Sequence, residues 1–322
     1  MLAGAALVLG AAAARGQTVR LDHVPIAVRD LDAAVRTYRD ELGFSIKPGR
    51  PHANSIRNAH IKFADGSALE LITASEPRDA LAARYLELLA DREGGAFLAL
   101  HAGPIGRLAR SLAALETPFD TTVGAYFEWL TFPRDAPLEY LFFIVIHRRP
   151  PDLPEHLAHA NTARRLYAVW IARAEPEAEL ELLAALDAPA RNAPISLPGA
   201  ASVREVRLGS GRLYLLEPHA TGDGGRRHTG GRPDPGGRSN PAAPSNVRGP
   251  RVLGVGGRPD ASDRPVVGAT VEVGDVDRAA AALGPAARRS AIHGSDSRGR
   301  FIRIPPASAH GMWLELLEPA GG

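Results

Sequence analysis

Residues 21–72 constrain the fold more than any other part of the chain. Val24, Ile26 and Val28 alternate with His23, Pro25 and Ala27, the period-two pattern of a strand with one oily face. Asp30 follows in the place of a helix N-cap, where its carboxylate can accept from the free N–H groups of the first turn. Leu31, Val35, Tyr38 and Leu42 then recur at helical spacing, and Gly43 stands at the stop. A short strand at 44–47 leads into a polar loop, and two further strands, 55–63 and 67–73, are joined by Ala64-Asp65-Gly66.

That hairpin decides which side chains share a face. A two-residue Asp-Gly turn would set Ile61 opposite Glu70 and mix oily with charged groups. A three-residue loop with Gly66 left-handed pairs Ile61 with Leu69 and His60 with Glu70. The hydrophobic pattern selects the second register. Ile61, Phe63, Leu69 and Leu71 then lie under the helix, while His60, Lys62 and Glu70 face the other way. His23 leaves the oily side of its own strand by the same alternation, so two histidines and a carboxylate share one surface.

The order strand, helix, three strands, opening on LDHVPIAVRDLDAA and closing on SALELI, resembles the vicinal oxygen chelate superfamily, and within it the glyoxalase-like, or bleomycin-resistance and dioxygenase-like, group. The resemblance implies an α+β fold of four βαβββ modules in two cup-shaped halves. It also implies a divalent metal in a cup, with ligands from the first and last strands of each module, at positions matching His23 and Glu70.

Weaker copies of the pattern follow. A second module spans 96–147, where Phe97 falls near the His23 position and Val145 near that of Glu70; both are apolar. A third opens at 166–172, with Ala168 in place of the histidine and Tyr214 or Leu215 near the closing ligand. A fourth opens at 266–273, repeats the Asp30 logic at Asp275, and ends on AHGMWLELLEP. There Glu315 matches Glu70 and Gly268 replaces the histidine.

These modules divide the 322 residues into two domains, 18–148 and 164–319. Residues 149–163, rich in proline and carrying His156 and His159, are the connector. Residues 219–265 are dominated by Gly, Pro, Arg, Ser and Asn; such a segment buries too little apolar surface to order itself and reads as a flexible insertion. Residues 1–17 form an apolar run with an Ala12-Ala13-Ala14 site. It is too short to span a bilayer but has the look of a secretory signal peptide. A periplasmic or secreted protein is expected on that ground, with a cytoplasmic one as the alternative.

The absence of cysteine excludes disulfides, thiolate metal sites and cysteine nucleophiles. The formal charge of +2, with basic residues scattered, leaves no nucleic-acid footprint. P-loop, nucleotide-fingerprint, G-x-S-x-G and H-E-x-x-H motifs are all missing from the sequence.

The ligand count then frames the function. If modules pair one with two and three with four, the first cup holds His23 and Glu70 and the second only Glu315. If one pairs with four, His23, Glu70 and Glu315 converge with His60 nearby. One imidazole and two carboxylates suit Zn²⁺, Mn²⁺, Ni²⁺ or Fe²⁺. By resemblance such a site implies a metal-dependent lyase or isomerase acting on a small oxygenated substrate. Glu70 or Glu315 would be the catalytic carboxylate, and His60 and Trp313 would contact substrate. The ligand set departs from the two-histidine, one-carboxylate arrangement of extradiol dioxygenases, which disfavours ring cleavage. The alternative is a drug-sequestering type of small-molecule binding protein, in which the cup holds its ligand without metal.

Overall fold

The computed structural model describes residues 19–50, 52–148, 151–219 and 264–321. The signal-like segment 1–17 and nearly all of the insertion 219–265 lie outside the described residues.

The first module forms as its local signals dictate. Strand β1 (Arg20–Ala27) runs to Asp30, whose carboxylate accepts from the Ala33 N–H at 2.9 Å and starts α1 (Leu31–Arg36). The helix widens into a π turn over Thr37–Glu41 and stops at Gly43, left-handed at φ +74°. Strands β2 (Lys47–Pro48), β3 (Ile56–Lys62) and β4 (Ala68–Ala74) follow. The hairpin adopts the three-residue loop: Ile61 faces Leu69, His60 faces Glu70, and Gly66 has φ +87°.

Next comes an element absent from the module pattern. Helix α2 (Ala80–Asp91) starts at Asp79, whose carboxylate accepts from the Ala82 N–H at 2.7 Å. It is followed by β5 (Gly94–Gly95). The second module is β6 (Leu98–His101), α3 (Ile105–Ala114), β7 (Asp120–Val123), β8 (Phe127–Thr131) and β9 (Leu141–Ile146). A short α4 (Pro154–Leu157) lies in the connector. The third module is β10 (Ala163–Ala172), α5 (Glu177–Ala185), β11 (Ala190–Asn192), β12 (Ala200–Arg207) and β13 (Arg212–Pro218). The fourth is β14 (Val266–Val273), α6 (Val276–Ala282), α7 (Pro285–Ser290), β15 (Ile292–Asp296), β16 (Gly299–Ile304) and β17 (Trp313–Pro319).

These strands make two curled sheets, ordered β2-β3-β4-β1-β6-β9-β8-β7, with β5 beside β1, and β11-β12-β13-β10-β14-β17-β16-β15. Each sheet is a half-barrel of an α+β fold. The modules therefore pair one with two and three with four. Within every module the last strand lies parallel to the first: β1 with β4, β6 with β9, β10 with β13 and β14 with β17.

Helix-facing side chains of both sheets, among them Val24, Ile26, Leu69, Leu71, Val169, Ile171, Leu314 and Leu316, enter one apolar core. Burying such a side chain stabilises by about 1.5–3 kcal/mol. The opposite, concave faces carry separate clusters. Polar contacts also join the halves: the buried Tyr38 hydroxyl donates to the Ala309 carbonyl at 3.3 Å, and Glu41 accepts from the N–H groups of Ala286 and Ala287.

The connector is clamped by one histidine. His159 is buried, with Nδ1 accepting from the Ser45 N–H at 3.0 Å and Nε2 placed 2.8 Å from the Lys62 carbonyl. Phe44 and Phe63 meet its ring edge to face. These partners require neutral imidazole, and burial, partly offset by the Lys62 carbonyl, lowers its pKa below the usual 6.5. A group whose folded pKa is depressed contributes stability that is complete above the unfolded pKa and lost as pH falls toward the folded one. Acidification from pH 7.5 to 5.5 is thus expected to lower the melting temperature more in the parent than in His159→Gln, which cannot take up the proton. The slope difference, read by circular dichroism, is bounded by about 1.4 kcal/mol per pH unit for one proton.

Candidate functional site

Strand alternation loads the concave face of the first sheet with its polar residues. His23 comes from β1, Asn58, His60 and Lys62 from β3, and Glu70 from β4, while the intervening Val24, Ala59, Ile61, Leu69 and Leu71 enter the core. The far flank is apolar. Phe142 meets the His23 ring edge to face, with centroids 5.7 Å apart. Ile144 lies opposite Trp129 on β8 and Ile146 opposite Phe127, and these two aromatic rings stack at 4.2 Å.

His23 is the centre of this surface. Its Nδ1 sits 2.8 Å from an Asp22 carboxylate oxygen, and its Nε2 lies 3.5 Å from Glu70 Oε2. The other Glu70 oxygen accepts from the Asn58 amide at 2.6 Å. The side chains of His23 and Glu70 keep 18% and 12% of their surface, so both remain reachable from the cup. His60, opposite Glu70 across the ladder, is different. Burial lowers its pKa to about 4; the Glu70 carboxylate opposes this and Lys62, His23 and Lys47 add to it. His60 is therefore a neutral imidazole at pH 7.

Helix α2 closes one end of this surface. Ala82, Tyr85, Leu88 and Leu89 pack on Ala27, Ile56, Ile72 and Ala74, which continue the faces that hold His23, Asn58 and Glu70. Its last carbonyls are taken by two distant arginines. Arg29 donates to Leu89 and Asp91, and the buried Arg264 to Leu88, Arg92, Gly94 and Gly95. Asp79 ahead of an Ala/Leu/Tyr-rich run was the sequence signal for this helix. The four-module pattern has no place for it, which hid it.

The second sheet repeats the scaffold with other contents. Glu315 lies beside Thr270 on β14 as Glu70 lies beside Pro25 on β1, and Gly268 occupies the place of His23. Trp170 fills the space so left: a Cβ on Gly268 would come within 2.6 Å of its indole. The indole N–H donates to Thr270 Oγ1 at 2.9 Å, which donates to Glu315 at 2.9 Å. Arg298 grips both Glu315 oxygens at 2.7 and 3.1 Å, and Arg303 adds a third contact at 2.7 Å. Trp313, Tyr214, Phe301 and Leu197 pack around them, and the Ser196 carbonyl accepts from Arg303.

Several expectations change accordingly. Glu315 does not converge with His23 and Glu70: it belongs to the other sheet, is fully buried, and has its charge met by two guanidinium groups. It is thus the centre of an ion-pair cluster in that sheet, apart from His23 and Glu70. Trp313 is a buried member of the second apolar cluster and lies outside the His23 surface. Val145 packs toward the helix-side core, so Ile144 holds the concave position on β9, and Phe97 packs on Tyr85 of α2. Of Tyr214 and Leu215, Tyr214 faces the second cup. His23, His60 and Glu70 are brought onto one face. The roles of Asp22 and Asn58 went unread, because only the folded backbone reveals where their side chains reach.

Catalytic zinc sites take three protein ligands. His23 and Glu70 supply two, and among the described residues no group of three His, Asp or Glu side chains is placed to hold a metal ion. The described donors do not complete such a site.

A sequence profile described as a glyoxalase-like domain matches residues 21–186. No curated protein matches the chain in sequence. Among solved structures, the chain is similar to a triple mutant of 4-hydroxymandelate synthase from Streptomyces coelicolor, at 18% identity and a TM-score of 0.60, covering 95% of this chain and 94% of that one. A catechol 2,3-dioxygenase superposes with a TM-score of 0.55 at 12% identity over 95% and 90% of the two chains. A hypothetical protein from Staphylococcus aureus gives 0.54 at 8% over 93% and 99%. At these identities the likeness is one of fold.

Replacing Glu315 by Gln leaves Arg298 and Arg303 with the Asp296 carboxylate in place of two anions, a change that costs up to about 3–5 kcal/mol, the range for breaking a buried ion pair. The expected result is a large drop in unfolding midpoint by urea titration, with the spectroscopic signals of His23 unchanged.

Proposed function

The chain belongs to the glyoxalase-like domain family, and from that premise we propose that its N-terminal cup binds a small oxygenated molecule and moves a proton on it. This is isomerase or lyase chemistry with His23 as the base. One observation carries the reading: the line from Asp22 through the His23 ring to Glu70, at 2.8 and 3.5 Å. Asp22 accepts from Nδ1–H, which leaves the lone pair on Nε2 facing the cup. A base must be within reach of the proton it removes and oriented by a partner, and His23 has that partner.

The steps follow from the residues present. The carbon acid sits with its C–H toward Nε2, and the proton passes to that nitrogen while the C–H electrons flow onto the adjacent carbonyl oxygen. Glu70 stabilises the imidazolium so formed. Neutral His60 donates a ring N–H to the developing oxyanion, as a neutral imidazole suits that task better than a charged one. Return of the proton to the neighbouring carbon, with the substrate's hydroxyl proton passing to the oxyanion by way of His60, gives an isomer; expulsion of a β-substituent with its bonding electrons gives a lyase product. Phe142, Ile144, Trp129 and Phe127 hold the apolar body of the substrate. The steps are assigned to side chains, since among the described residues His23 and Glu70 do not complete a metal site.

The aromatic flank also supports a second reading, in which the cup binds its ligand without turnover. Deuterium exchange separates the two. A panel of hydroxycarbonyl and aryl 2-oxo compounds in D₂O is followed by proton NMR. The parent is expected to exchange the α-hydrogen of at least one of them, and His23→Gln to slow this by about 10²–10⁴-fold, the usual range for a general base. Saturable binding without exchange anywhere in the panel favours the binding protein and overturns the base.

A further inference from the structure

Resting on the reading of His23 as the working group, we propose that Asn58 is the positioning residue that holds Glu70 back from His23 and so keeps the gap between them open. At 3.5 Å, Nε2 and Oε2 are too far apart for a normal charge-assisted hydrogen bond, which closes to about 2.7–2.9 Å. An imidazole beside a carboxylate on a partly buried surface can take a proton from solvent onto the facing nitrogen and close into a charge-assisted hydrogen bond, unless something holds the two apart. The restraint is visible on both sides. Asp22 holds the imidazole from behind at Nδ1, and the Asn58 amide holds Oε1 of Glu70 at 2.6 Å. The pair is tethered from opposite ends, so that one ligand atom entering from the cup can hydrogen-bond to both Nε2 and Oε2.

Asn58 gives up a hydrogen bond to do this. Its Oδ1 is buried and accepts from no donor among the described residues. An unsatisfied buried acceptor is rare in native proteins and calls for a reason. The orientation is fixed nonetheless: the reversed amide would press Oδ1 against a carboxylate oxygen. Backbone packing holds the side chain in place, because a Cβ on Gly49 would come within 2.0 Å of Oδ1 and 2.1 Å of the Asn58 carbonyl. Only glycine at that position lets Asn58 lie where it does. Gly49, Asn58, Glu70, His23 and Asp22 thus form one chain of contacts, from the β2 edge into the middle of the cup.

The test uses the full chain with ¹⁵N-labelled histidine at one fixed pH near 7.5, together with crystal structures. Asn58→Leu removes the amide at similar volume, and Gly49→Ala displaces Asn58 while leaving every functional group in place. In both, Glu70 is expected to swing onto His23. The Nε2 to Oε2 distance should fall to about 2.7–2.9 Å, and as the ring takes a proton from solvent the Nε2 resonance of His23 should move from that of a bare ring nitrogen to that of a hydrogen-bonded N–H. A variant of general packing importance would leave that resonance alone. If the gap and the resonance persist in either folded variant, Asn58 is not the restraint. Neither readout involves substrate, so this outcome leaves the proton-transfer reading standing. Conversely, absence of deuterium exchange in the parent removes that reading whether or not the gap closes.

Discussion

Everything in this protein depends on the parallel pairing of each module's first and last strands. It sets residues far apart in sequence side by side at the centre of a curved sheet: Pro25 beside Glu70 and Thr270 beside Glu315. Alternation then sends one set of side chains to the core and the other to the cup. A carboxylate on the closing strand must therefore stand where the sheet is most enclosed. What the chain does about that charge decides what each cup becomes.

The two cups answer differently. In the second, the charge is matched inside the protein by Arg298 and Arg303, and Trp170 takes the room that Gly268 vacates. Such a network is expensive to desolvate and gives specificity of packing more than net stability. It leaves Glu315 nothing to offer a ligand. In the first, Glu70 has one neutral hydrogen-bond donor and one imidazole at a distance. Its charge is only partly compensated by the protein, which leaves it electrostatically open to what enters.

Much of this was legible in the residues. The Gly66 turn fixed the register of His60 with Glu70, Asp30 and Asp275 announced their helices, and Gly268 marked a first strand without a ligand. Each of these is a local signal carried by neighbours in sequence. The pairing of modules was not legible, because the first strands carry similar patterns and only tertiary contacts choose between partners. The fate of Glu315 was hidden for the same reason: Arg298 and Arg303 look like surface arginines of a hairpin until β15, β16 and β17 fold side by side. The edge strands β7, β11 and β15 went unseen because their exposed residues lack the oily alternation that betrays a half-buried strand.

One feature of the interior bears on both halves. Arg264 begins the described part of the fourth module, and its buried guanidinium, with a pKa lowered by burial to about 10, is fastened to the backbone carbonyls that end α2 and form β5. The C-terminal half thereby closes a helix that walls the N-terminal cup. The wall of the first cup is thus fastened by a residue of the other half, so the shape of that cup and the integrity of the C-terminal half are one property.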